Sequence, residues 1–95
     1  MFLAQSYIYA LSGETRKAME ILQTVLDESS KEQIDFTDVA IVYAALREND
    51  KAFEYLDKAF KKGDTNILLL RTDPRFEYLH NDSRFIPLLR KLNLE

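Results

Sequence analysis

The chain contains no cysteine, one histidine, two glycines and two prolines. Without thiols there is no disulfide, no cysteine nucleophile and no cysteine-rich zinc site, and a reducing, cytoplasmic setting is the expectation. His80, in Leu79-His80-Asn81-Asp82, has no second histidine with which to share a metal, and a lone histidine beside an aspartate reads as a surface residue near a helix end. Gly13 and Gly63 stand alone, so no glycine-rich loop exists to cradle a phosphate. No apolar run approaches the roughly 18 residues of a membrane span, and the opening MFLAQSYIYALSGE lacks the basic start of a secretory signal. So little glycine and proline also disfavours a strand-and-turn architecture and leaves helices.

What is present fits one small domain. The 95 residues are 46% hydrophobic and 31% charged, inside the globular range, and suffice for a single modest core spanning residues 1–95. A formal charge of −3 argues against general attraction to phosphate backbones, so neither nucleic acid nor membrane is an expected partner. Carboxylates alternate with lysine and arginine, the pattern of a solvated helix face. No catalytic residue, metal or cofactor is expected, and the chain does not read as an enzyme.

The organising stretch is DFTDVAIVYAALRENDKAFEYLDKAFKKG, residues 35–63, which predicts two helices folded back on each other. Asp35 is placed to cap a helix starting near Phe36, with Ile34 and Val39 as a hydrophobic staple across the cap. Val39, Ala40, Val42, Tyr43 and Leu46 recur at three- and four-residue steps, while Ile41, Ala44 and Ala45 fill the other side. A helix apolar almost all round must be covered on two sides. Glu48-Asn49-Asp50 breaks the pattern, with Asn49 suited to a left-handed backbone and Asp50 to capping the next helix. That helix sets Ala52, Phe53, Leu56, Ala59 and Phe60 on one face, carries lysines in its last turn and stops at Gly63. Ala40, Ala52 and Ala59 let the two backbones approach while Phe36, Tyr43 and Leu56 fill the space around them.

A shift of 34 residues superposes Phe2 on Phe36, Tyr9 on Tyr43, Ala10 on Ala44, Glu14 on Glu48, Lys17 on Lys51, Ala18 on Ala52, Glu20 on Glu54 and Leu22 on Leu56. These eight identities, without a gap, mark an internal repeat: one unit over about 2–30, a second over about 35–63. Between them Asp27 to Gln33 reads as a helix end plus a turn. On these residues the chain resembles a tetratricopeptide repeat protein. The family's pattern of large, apolar, small, aromatic, small, bulky and small residues is met by Phe36, Val39, Ala40, Tyr43, Ala52, Leu56 and Ala59. It is met more loosely by Phe2, Gln5, Ser6, Tyr9, Ala18, Leu22 and Val25, where Gln5 and Val25 depart from it, and Ser30 and Asp64 stand where a closing proline is common.

Residues 65–95 form a closing segment. Ile67 to Leu70 is a short apolar turn, and Asp73-Pro74-Arg75-Phe76 and Asp82-Ser83-Arg84-Phe85 each offer a capping aspartate and an inward phenylalanine. A last helix starting around Arg84 to Ile86 then carries Leu88, Leu89 and Leu92, with Pro87 confined to its first turn. The ending LLxxDPRFxxLxxDxRFxxLLxxL is similar to the segment that closes tetratricopeptide arrays in bacterial multidomain regulators such as transcriptional regulators, nucleotide cyclases and protein kinases. It suggests the tail of a longer protein.

The resemblance implies an all-α superhelix of stacked helix-turn-helix repeats with a C-terminal helical cap, acting as a non-catalytic protein-interaction or scaffolding module. It places partner contacts on the inner face of each first helix, at Leu3, Tyr7, Ala10 and Leu11 and at Ile34, Thr37, Ile41, Ala44 and Ala45. The family's carboxylate clamp of Lys, Asn and Arg is excluded by Leu3, Tyr7, Thr37 and Ile41 at those places. An apolar contact to a protein or peptide, anchored by Tyr7, is left. Two alternatives stay open. The groove could be filled from within by the Ile67–Leu70 run or the last helix, making the chain a purely structural or dimerising module. The N-terminal edge, where Phe2, Leu3, Tyr7, Ile8 and Leu11 face several ways, could stack on further repeats of a parent protein or pair with a second copy.

Overall fold

The first helix, α1 (Leu3–Leu11), is followed by α2 (Thr15–Glu28), α3 (Phe36–Ala45) and α4 (Asn49–Lys62). Two 3-10 turns, Thr65–Leu69 and Pro74–Leu79, then lead to α5 (Phe85–Lys91). This computed structural model describes residues 3–30 and 32–94, and the described residues contain no strand. The all-helical class therefore holds, and Phe2, a member of the repeat pattern, lies outside the described residues.

Local chemistry explains the helix ends. Asp35 accepts from the Thr37 amide at 2.8 Å and Asp64 accepts from the Phe36 amide at 2.8 Å, so two carboxylates satisfy the first orphan donors of α3. Lys62 completes the tie by donating to the Ile34 carbonyl and pairing with Asp64 at 3.0 Å. The end of α4 is thereby fastened to the start of α3 through Asp64 and Lys62.

Among the described residues four have positive φ, and each closes a helix: Gly13 at 82°, Arg47 at 63°, Gly63 at 85° and Asn93 at 59°. Each time, the next residue donates back to a carbonyl five positions earlier, as from Glu14 to Tyr9 and from Glu48 to Tyr43, both at 2.9 Å. The two hairpins share these turns and also their bounds, since Leu11 and Ala45, Thr15 and Asn49, and Glu28 and Lys62 are each 34 positions apart.

One expected cap is not formed. Arg47, not Asn49, takes the left-handed conformation, so α4 already begins at Asn49, with Glu48 making no side-chain cap. Asp50 falls inside the first turn and instead pairs with Arg84 at 2.9 Å.

Packing follows the small residues. Ala18, Ala40, Ala52 and Ala59 are fully buried, and Ser6, which stands where the second hairpin has Ala40, donates to the Ala18 carbonyl at 2.7 Å. A hydroxyl thus bridges α1 and α2 where a methyl group suffices between α3 and α4. Around the α3–α4 contact Tyr43 stacks on Tyr55 with centroids 5.5 Å apart, and Phe36 meets the same ring edge-on at 5.6 Å. Leu22 and Leu56, at matching positions, are both sealed in the core, each contributing about 1.5–3 kcal/mol by area burial. Phe60 departs from the expected buried face: it is 38% exposed, with the Lys91 ammonium over its ring.

The closing segment turns back over this pair of hairpins. Asp73 and Asp82 accept from the amides of Arg75 and Arg84 at 2.9 Å, Phe76 and Phe85 are buried, and Pro74 sits in the first turn of its 3-10 helix. Pro87, third in α5, sits among the amides that have no intrahelical partner, so it breaks no bond. The second 3-10 turn packs on α3, and the first touches both α3 and α4. Lys91 to Asp57 at 3.2 Å and Arg84 to Asp50 fasten α5 to α4.

Candidate binding surface

The fold divides the nine predicted contact residues into covered and open groups. On α3 and just before it, Ile34, Thr37, Ile41 and Ala44 are buried in the main core, and Ala45 packs with Ala10 and Ala18 in a smaller one. What fills the inner side of α3 is chiefly the second 3-10 turn, with Phe76 and Leu79 fully buried. Among the described residues, the α3 part of the expected groove is therefore occupied by the chain itself. The sequence pointed to Ile67–Leu70 or the last helix for this role. Ile67 and Leu70 are indeed buried, but the larger share falls to residues 74–79.

On α1 the picture differs. Leu3 and Ala10 are buried, Tyr7 is half-buried, and Leu11 is 50% exposed. Leu3, Tyr7 and Ile41 come together in the wall of a cleft of about 280 Å³ between α1, α3 and the second 3-10 turn. Ala4, Ile8, Asp38, Val42 and Arg75 complete it; of these the sequence pointed only to Ile8 as a contact, on the N-terminal edge. Ala4 was within reach of a sequence reading, being four residues before Ile8 on an uncharged helix. Arg75 was not, because its place depends on where residues 74–79 dock.

The charged residues of this wall are already engaged. Arg75 pairs with Asp73 at 2.6 Å, and those hydrogen bonds hold the Asp73 carboxyl below its ordinary range. Burial pushes the Asp38 carboxyl up, with nearby Asp35 adding to it and Arg75 opposing it. Burial also raises the Tyr7 hydroxyl, with Arg75 pulling the other way. The cleft thus offers an apolar floor, one phenol and a rim of Asp38 and Arg75, the latter paired with Asp73.

No serine, threonine or histidine is among the described residues lining this cleft. His80 is exposed, with its ring against Phe85 at 4.6 Å, and no described group of three or more His, Cys, Asp or Glu side chains is arranged to hold a metal ion. No described helix is long and apolar enough to cross a membrane. A second cleft, about 480 Å³, opens between α1 and α2 at Gln5, Ile21, Thr24 and Val25. In the second hairpin Val39, 34 positions after Gln5, is fully buried, and the matching cleft, about 360 Å³, is lined by Phe36, Lys58, Lys61 and Lys62.

Comparison with family models, with curated proteins and with solved structures finds no match to this chain.

Proposed function

We propose that the chain is a non-catalytic protein-interaction module built from two tetratricopeptide-type hairpins and a closing segment, working in the cytoplasm without nucleic acid, membrane or cofactor. The repeat reading draws support from the shared 34-residue spacing of helix ends and left-handed turns. The contact surface is the open side of α1 with the adjoining cleft, not the face of α3. The observation that carries this is the contrast between a covered α3 and an α1 that leaves Ile8 61% and Leu11 50% exposed beside the cleft. Exposed aliphatic groups next to a half-buried tyrosine suit an apolar peptide segment, with the ring as anchor.

Selection of phage-displayed peptides against the 95-residue chain tests this reading. Enriched peptides carrying apolar anchors are expected to bind, and Tyr7→Ala should weaken them tenfold or more while circular dichroism stays unchanged. Binding indifferent to Tyr7→Ala would place the contact elsewhere. Failure to enrich any peptide would favour the second reading, a structural terminal module of a larger regulatory protein, which the filling of the α3 face by residues 74–79 supports.

A further inference from the structure

Asp38 is the one carboxylate among the described residues that wall the cleft between α1, α3 and the second 3-10 turn. It is half-buried in the first turn of α3, and among the described residues it makes no ion pair. Arg75, in the same wall, is turned to Asp73, to which its side chain donates three hydrogen bonds at 2.6 to 3.1 Å. An acid in a first helical turn is favoured by the helix dipole, but a solvated side chain fills that role equally well. Here burial pushes the Asp38 carboxyl up, so its surroundings give the charge less than water would. The wider field is acidic too. Asp35, Asp64 and Arg75 act on Asp38, and Arg75, Asp73 and Glu77 act on the Tyr7 hydroxyl beside it. Counting Asp38 itself and the Lys62 paired with Asp64, these are five carboxylates against two cations. The excess of three negative charges equals the formal charge of the whole chain, so the remaining charges balance and the imbalance is concentrated around this cleft.

We infer that the cleft takes a lysine or arginine side chain of the bound peptide, with its aliphatic stem along Leu3, Ile41 and Val42 and its cationic head on the Asp38 carboxylate. This rests on the reading of the cleft as a peptide contact and names the chemistry of the residue that enters it. At about 280 Å³ the cleft lies at the lower end of ligand pockets, room for one side chain and not for a whole molecule. Long basic side chains bury an apolar stem while keeping the head on a polar group, which matches an apolar floor that ends in one acid. The acidic field draws such a segment in and disfavours an acidic one. Because Arg75 is held by Asp73, no cation of the chain itself takes the place of the incoming one. The other clefts fit less well. Lys58, Lys61 and Lys62 line the one at Phe36 and would repel a basic head. Between α1 and α2 the rim acids Glu20 and Glu28 are both exposed, where water and salt screen them.

Phage selection run in parallel on the wild-type chain and on Asp38→Lys tests the inference. The wild type is expected to enrich peptides with a lysine or arginine beside apolar anchors, and Asp38→Lys to enrich aspartate or glutamate there instead. In a synthetic peptide from the wild-type pool, replacing the basic residue by norleucine, which keeps a stem and removes the charge, should weaken binding about tenfold. Asp38→Asn should do the same, and the two changes together should cost no more than either alone. Glu28→Gln, on the rim of the other acidic cleft, should leave binding as it was. Should Asp38→Asn lose helicity, the norleucine peptide decides without touching the protein. Peptides that weaken with Tyr7→Ala but are indifferent to norleucine or to a folded Asp38→Asn would overturn the basic pairing and keep the contact surface. A loss on Glu28→Gln in place of Asp38→Asn would overturn it by moving the pairing to the other cleft. No enrichment at all would overturn the contact surface and the pairing together.

Discussion

Replacing Thr37 by valine should stabilise this protein. Thr37 is fully buried in the first turn of α3, and its hydroxyl has no hydrogen-bond partner among the described residues. The backbone amide is a separate matter: it is satisfied by Asp35 and is untouched by the change. A buried hydroxyl without a partner costs about 1–3 kcal/mol of desolvation. Valine keeps the β-branched shape, has nearly the same helix propensity, and replaces the oxygen by a methyl group. The first hairpin shows that an apolar side chain is at home there, because Leu3 stands 34 positions earlier and is 4% exposed. Allowing for partial repacking, a gain of about 1–2 kcal/mol is expected, which for a domain of this size raises Tm by roughly 5–15 °C. Thermal and urea unfolding followed by circular dichroism measure it, with Thr37→Ala as the control that removes the hydroxyl and a methyl together and should lose stability through the cavity. If Thr37→Val is less stable than wild type with an unchanged m value, the hydroxyl is satisfied in solution and the reasoning fails.

Two further outcomes follow from the turns and the ion pairs. Arg47 takes a left-handed conformation that costs a non-glycine residue about 1 kcal/mol, and its guanidinium lies over Tyr78 at 3.9 Å, a contact worth about 0.5–1 kcal/mol. Urea midpoints should therefore place Arg47→Gly about 1 kcal/mol above Arg47→Ala, since both lose the stacking and only glycine relieves the backbone; equal midpoints would speak against the strain. Hydrogen bonds from Arg84 hold the Asp82 carboxyl down to about 2, and Arg75 and the Lys61–Lys91 pair lower Asp73 and Asp57 in the same direction. A lowered folded-state value contributes stability above the ordinary carboxylate pKa of ~3.9, lost as the pH falls toward 2; Asp38, raised by burial, acts in the opposite sense. Arg84→Ala should shrink the difference in stability between pH 5 and pH 2, and an unchanged difference would refute the coupling.

Much of the fold was legible because its signals are local. Asp35, Gly63, Asp73 and Pro74 each sit where a cap, a left-handed stop or a first-turn proline is needed, and the alanines at 40, 52 and 59 announce the close helix contact. Asp50 misled because a good capping residue next to a turn says nothing about which residue of that turn goes left-handed; Arg47 does. Phe60 misled because periodicity assigns a face but not its cover, and here the Lys91 ammonium lies over the ring while the side chain stays 38% exposed. Of the residues named from the sequence, Leu3 and Tyr7 of α1 and Ile41 of α3 line one cleft. The cover over the rest of α3 was not legible. Whether Ile34, Thr37, Ile41 and Ala44 face a partner or the chain's own closing segment depends on how residues 65–94 fold back, a tertiary fact with no local sequence signature.

Matching positions of the two hairpins differ in exposure: Val42 and Ala45 of α3 are covered, and Ile8 and Leu11 of α1 are open. The absence of native cysteine makes a direct test available. Thiol-modification rates should be measured on Ile8→Cys and Val42→Cys, 34 positions apart, with the protein dilute enough to be monomeric. The account predicts that the Ile8→Cys thiol reacts at nearly the rate of an unfolded peptide, while that of Val42→Cys is slower by orders of magnitude and is released only by denaturant. Comparable rates at the two positions would contradict it.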